Sequence, residues 1–250
     1  MTNSIDQVAR KSRSSIRSGL ALMILCALIW SPSLSFGQQS DPDTSEPVNV
    51  VSPPSPLDNK RILGIIPNYR TWPSLKDYKP LSPKEKFEIA RQDSFDRGTI
   101  ALAAMFAADA QLTNADPSFG QGVKGYAHYL GASYGDFVIG NYMSEAVFPT
   151  LLHQDPRYFR RGIGSTRSRL AYSIGQIFWT HTDSDRTQFN YSEILGNSTA
   201  VAISNAYYPD SRNATDSATK LGMQIGIDMA SNVLKEFWPD VSRKFSRKHQ

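Results

Sequence analysis

Few side chains in this 250-residue sequence are suited to acid–base chemistry near neutral pH. His153 opens the run His153-Gln154-Asp155-Pro156-Arg157-Tyr158-Phe159-Arg160-Arg161, where an imidazole beside Asp155 has the makings of a general base. His128 and Asp136, two helical turns apart, offer a second pairing of the same kind. The first has a plainer reading: Asp155-Pro156 is a turn or helix-start signal, in which the carboxylate caps the following turn. His128, His153 and His181 show no ligand pair at helical or finger spacing, so no metal site is expected, and no cofactor. A nucleophilic serine lacks any G-x-S-x-G elbow, and no glycine-rich phosphate loop follows a strand.

Arg157, Arg160, Arg161, Arg167 and Arg169 place five guanidiniums in thirteen residues with no acid among them. Arginine captures phosphate or carboxylate through two parallel hydrogen bonds, so the run is a candidate anion site for an anionic lipid or an envelope polymer. The competing expectation is pairing with the chain's own acids, such as Asp93, Asp96, Glu145 and Glu193. Arg243, Lys244, Arg247 and Lys248 add a basic end that suits a helix C-terminus.

These groups must be positioned by helices, because no convincing period-2 strand is visible. Ser82-Pro83-Lys84-Glu85 sets a cap, a proline and a returning glutamate at the start of a predicted helix reaching about Leu112. A second predicted helix follows Asp116-Pro117 and runs to about Phe148. A third fits Ser165 to about Thr180, a fourth starts at Asn190 and stops before Pro209, and a fifth covers Ala214 to Phe237 before Pro239. The expected fold is all-α, one compact bundle of about five helices over residues 59–240, followed by a basic tail over 241–250.

Small residues recur four apart on these helices, including Gly131, Gly135, Gly175, Gly196, Gly222 and Gly226. A glycine inside a helix costs about 1 kcal/mol against alanine, so the pattern asks for a close-packed partner surface. That surface is a neighbouring helix, a second copy of the chain in a homo-oligomer, or lipid. Lys124, His128, Asp136 and Glu145 interrupt the second helix, which argues against a bilayer span there.

Residues 1–37 read as a secretory signal: Arg10, Lys11, Arg13 and Arg17 precede an apolar run, Leu20 to Trp30, and a Ser35-Phe36-Gly37 cleavage site. The only cysteine, Cys26, lies in that run, so the exported chain has neither disulfide nor thiolate to offer. Residues 38–58, with five prolines and few large apolar side chains, read as a disordered tether. The formal charge of +4 falls to +1 when the signal's four basic residues and Asp6 leave. Nucleic-acid binding thereby loses its main support. With 40% hydrophobic and 20% charged residues, collagen-like and polytopic-membrane compositions are excluded.

Pro67-Asn68-Tyr69-Arg70-Thr71, Phe119-Gly120-Gln121-Gly122, Lys124-Gly125-Tyr126-Ala127-His128, Asp155-Pro156-Arg157-Tyr158-Phe159-Arg160 and Ser204-Asn205-Ala206-Tyr207-Tyr208-Pro209 together resemble a group of uncharacterised exported bacterial proteins. The resemblance covers about residues 58–240. It implies a periplasmic or cell-envelope address and brings no activity, cofactor or catalytic residue with it. The preferred expectation is a non-catalytic helical envelope protein with an interaction or structural role at or near a membrane surface. The alternative is an envelope hydrolase using His153 or His128 with a nearby carboxylate.

Overall fold

A computed structural model describes residues 61–62, 66–72 and 78–246. The expected export segment, the expected proline-rich tether and residues 247–250 lie outside them. The described chain is mostly helical. Helix α1, Pro83–Ser94, begins with the expected capping box: the Ser82 hydroxyl accepts from the Glu85 N–H while Glu85 accepts from the Ser82 N–H. The single helix expected to reach Leu112 is interrupted at Phe95-Asp96. Asp96 caps a new helix, α2, Arg97–Leu112, by accepting from the Gly98 N–H at 2.7 Å, and its carboxylate also receives Arg61. A buried acid that satisfies an orphan backbone donor and an arginine at once is more stable as a cap than inside a continuous helix.

The second expected helix divides further. A 3₁₀ turn at Pro117–Phe119 precedes Gly120 and Gly122, whose φ angles of 77° and 73° are open mainly to glycine. Helix α3 then runs Gly122–Asn141 and widens into a π-helical segment, Tyr142–Val147, before the short α4, Phe148–Leu151. Pro149 lacks the N–H that an α-helix would direct to the carbonyl of Glu145, which favours the wider turn. Helix α5 is Thr166–Gly175, α6 is Tyr191–Ser204, and α7 is Ala214–Ser246. Helix α7 continues through Pro239, where an end was expected, and absorbs the start of the basic tail.

Among the described residues, six short strands tie the connections together. β1, Arg61–Ile62, pairs antiparallel with β2, Ile66–Pro67. β3, Thr71–Trp72, lies parallel to β4, Tyr158–Phe159. β5, Trp179–His181, and β6, Thr187–Phe189, form a hairpin where the third helix was expected to continue. Helix α2 lies along α3, the π segment sits against both α1 and α6, and α5 packs on α7. The buried apolar set is small, including Ala90, Ala103, Ala107, Ala146, Ala200 and Val201, and is outnumbered by buried polar and charged side chains.

Candidate functional site

The densest chemistry in the described residues is a buried acid–base centre around Arg70. Tyr158 donates its N–H to the Arg70 carbonyl at 2.8 Å, fixing the backbone between β2 and β3 so that the side chain enters the interior. There the Arg70 Nε lies 3.3 Å from Glu145 Oε1 and 4.0 Å from Asp93 Oδ2, and an Nη lies 3.9 Å from Asp228 Oδ1. Glu193 accepts from Asn197 Nδ2 at 2.9 Å, and the same amide faces Asp228 at 3.4 Å. Lys235, one face along α7 from Asp228 and Asn232, completes the group and is buried. Five segments therefore converge: the β2–β3 turn, α1, the π segment, α6 and α7.

Four carboxyl groups face two cations, an imbalance that protons correct. Burial pushes the Glu145 carboxyl well above its ordinary range, and the nearby Asp93 charge adds to the effect. Glu193 is raised well above its ordinary value in the same way, by burial and then by Asp228. Asp93 is raised by burial, with Lys235 and Arg70 opposing. Burial also lowers Lys235, to about 8, with Arg70 adding its repulsion. For Arg70 burial works against the charge, but Glu145, Asp228, Glu193 and Asp93 outweigh it and hold the guanidinium charged. Proton uptake by Glu145 and Glu193 lowers the negative charge that faces Arg70 and Lys235. Beside it lies a cavity of about 30 Å³ bordered by Arg70, Ser144, Glu193 and Asn232, room for one water.

Gly196 makes this centre possible. A Cβ there would stand 2.7 Å from the Ser144 Cα and 2.8 Å from its nitrogen, so α6 crosses the π segment backbone to backbone. The other stripe positions behave differently within the chain. A Cβ at Gly131, Gly175 or Gly222 would meet nothing within 4 Å, and at Gly135 only the Tyr207 ring at 3.8 Å. Gly226 is half-buried on α7. Four-residue spacing identifies a shared face without saying whether a neighbour covers it.

Three of the five arginines of the candidate anion site, Arg157, Arg160 and Arg169, pair with the chain's own acids. Arg157 and Asp155 are a buried pair with Nη2–Oδ2 at 2.6 Å, and the guanidinium lies over Trp72, Phe159 and Tyr78. Arg160 and Arg169 both donate to the Glu236 carbonyl at 2.8 Å and both meet Asp240; Arg169 also binds Glu236 Oε1 at 2.7 Å. The Glu236 carboxylate further receives Tyr158 Oη and the N–H groups of Arg161 and Gly162. Burial would raise this carboxyl, yet Arg169, Tyr158 and those two N–H groups hold it below its ordinary value. Arg161 and Arg167 are left exposed, the former over the Tyr172 ring. The partners of the buried arginines are thus Asp155, Glu236 and Asp240, while the expected acids Asp93, Glu145 and Glu193 gather on Arg70 and Asp96 on Arg61.

The histidines are not brought to these acids. His128 is exposed with Nδ1 3.3 Å from the Phe119 carbonyl, whereas Asp136 accepts from Tyr207 and, at 2.7 Å, from Tyr208. His153 is exposed, with Nδ1 3.8 Å from Asp183, a carboxylate already held by Lys86 at 2.8 Å. Among the described residues no group of histidines and acids is arranged to hold a metal ion. The Arg70 centre escaped sequence reasoning because its members are scattered over more than 160 positions. One local signal was present: Glu145, Glu193 and Asp228 are each a lone acid in a mainly apolar helical stretch. Compared with known protein families, curated proteins and solved structures, the chain matches none.

Proposed function

We propose that this chain is an exported, non-catalytic helical protein of the bacterial cell envelope, a compact bundle that works at a membrane surface through its outward apolar faces. The observation that carries the reading is an inversion of polarity. On α6 the buried face holds Ser192, Glu193, Gly196, Asn197, Ala200, Val201 and Ser204, while Tyr191, Leu195, Ala202 and Ile203 are exposed. Helix α2 buries Gly98, Thr99, Ala103 and Ala107 and exposes Ile100, Met105 and Leu112. A water-facing helix has the opposite arrangement. Single exposed apolar residues are ordinary in soluble proteins; several on each of two helices, with small and polar side chains buried opposite, call for a cover of lipid or protein.

Among the described residues no helix is long and apolar enough to cross a membrane, so the association proposed is superficial. The export segment read over residues 1–37 and the likeness of motifs such as Asp155-Pro156-Arg157-Tyr158-Phe159-Arg160 to exported bacterial proteins support the envelope address. The exposed, separated positions of His128 and His153 count against the hydrolase alternative. Fractionation of expressing cells tests the proposal: the protein should sediment with membranes, resist high salt and be released by mild detergent. Recovery in the soluble fraction without either treatment would overturn it, and a soluble homo-oligomer would assign the apolar faces to a second copy.

A further inference from the structure

One surface combines apolar exposure with uncompensated positive charge. Leu170 and Ile174 are one turn apart on the outer face of α5, and the turn that follows and the first residue of β5 carry Phe178 and Trp179 outward as well. Across the hairpin, Trp179 stacks edge-on against Phe189 at 6.2 Å and Phe189 against Tyr191 at 5.1 Å, so the apolar strip continues onto Leu195 of α6. Ile163, 78% exposed, lies in the loop before α5. Trp179 and Tyr191 are each 52% exposed, and such amphipathic rings favour the boundary between hydrocarbon and headgroups.

Cations border the strip. From Pro156 to Thr182 the chain contains no acid, and the hairpin turn that follows carries the exposed Asp185 next to the exposed Arg186. At the N-terminal end of α5, Arg160, Arg169 and Arg243 surround Glu236 and Asp240, and the exposed Arg161 and Arg167 lie beyond them, making no ion pair among the described residues. Five arginines therefore face two acids. An apolar strip with aromatic edges and a positive rim has the chemistry of a peripheral bilayer contact, in which apolar side chains enter the headgroup–acyl boundary and guanidiniums meet lipid phosphates.

We propose that the outer face of α5 with the β5–β6 hairpin is a docking surface for an anionic phospholipid bilayer. Leu170, Ile174, Phe178 and Trp179 enter the interface, and Arg161 and Arg167 select anionic headgroups. This assignment rests on the membrane-surface reading above, and it names the face and the lipid class.

The test uses the protein purified from cells that export it, mixed with phosphatidylcholine vesicles and with vesicles in which part of that lipid is replaced by phosphatidylglycerol. Co-sedimentation should be stronger with phosphatidylglycerol and should fall about fivefold for each of Arg161→Gln and Arg167→Gln. Tryptophan fluorescence of the unmodified protein should be quenched by lipids brominated near the headgroup, and Trp179→Phe should abolish that quenching. Phosphatidylglycerol binding that survives both arginine substitutions, with quenching unchanged in Trp179→Phe, would place the contact on another face while leaving membrane association intact. Absence of binding to either vesicle would overturn the assignment, and soluble recovery from cells would show that the broader reading had failed with it. Ile174→Ser and Trp179→Ser variants that turn a dimer into a monomer, with no vesicle binding in either form, would give the face to a second copy and overturn the lipid assignment.

Discussion

At the scale of single residues, the two most informative positions are glycines that look alike in sequence. Gly196 and Gly131 both occupy helical small-residue stripes, yet a Cβ at Gly196 would press within 3 Å of the Ser144 backbone and one at Gly131 would enter open space. Alanine at 196 must separate α6 from the π segment and disturb Glu145 and Glu193, which flank the crossing, so a loss of about 1–3 kcal/mol is expected. Alanine at 131 improves helix propensity with no clash and should add about 1 kcal/mol. Urea denaturation midpoints of the two variants check both signs, and equal effects would refute the assigned contact. The difference was illegible in the sequence because spacing sets the face of a helix and only the tertiary arrangement decides what covers it. Arg157 shows the same gap: its positive neighbours suggested an anion site, while its partner was Asp155, two residues away and already read as a cap.

At the scale of elements, local chemistry was readable and non-local chemistry was not. Ser82 and Asn190 were legible as helix starts because each cap depends on residues within three positions, Glu85 and Glu193. The β5–β6 hairpin was not, since its three-residue strands are too short to show alternation and Trp179–Phe189 becomes a pair only after folding. Pro239 was read as a helix end because it cannot donate to the carbonyl four residues back. Helix α7 continues through it with Arg160 and Arg169 donating to the Glu236 carbonyl in the same turn and the Glu236 carboxylate anchoring α5 and the β4 loop. Glu236→Gln keeps the side chain's shape and removes the charge that Arg169 and two backbone donors require. A loss of about 1.5–3 kcal/mol is expected, the range for hydrogen bonds to a charged group. Amide exchange in Val241–Ser246 should accelerate more than exchange in α1, and uniform exchange would show that Glu236 does not secure the end of α7.

At the scale of the whole molecule, the Arg70 centre joins the segments that pack around it and makes their joint stability depend on pH. Glu145 and Glu193 have folded-state values raised well above the ordinary 4.5, so in the interval between the two values the folded chain holds protons that the unfolded chain has released. Stability must fall as pH rises through that interval and level off above the raised values. Glu236, Asp240 and Asp96 have the opposite sign: held below their ordinary values, they stabilise above the ordinary carboxylate range and lose that contribution as pH falls through the depressed values. Lys235, lowered to about 8 from 10.5, adds a rise in stability between those two values, where only the unfolded chain keeps the proton. The two carboxylate sets confine the stability maximum to mildly acidic pH, and the lysine restores part of the loss in alkali. Denaturation midpoints across the pH range should trace this curve. Glutamine at both 145 and 193 keeps the neutral hydrogen-bonding shape of the protonated acids and should flatten the decline on the neutral side while leaving the acid limb in place. An unchanged decline in that double variant would mean that Glu145 and Glu193 are not the groups that take up the protons.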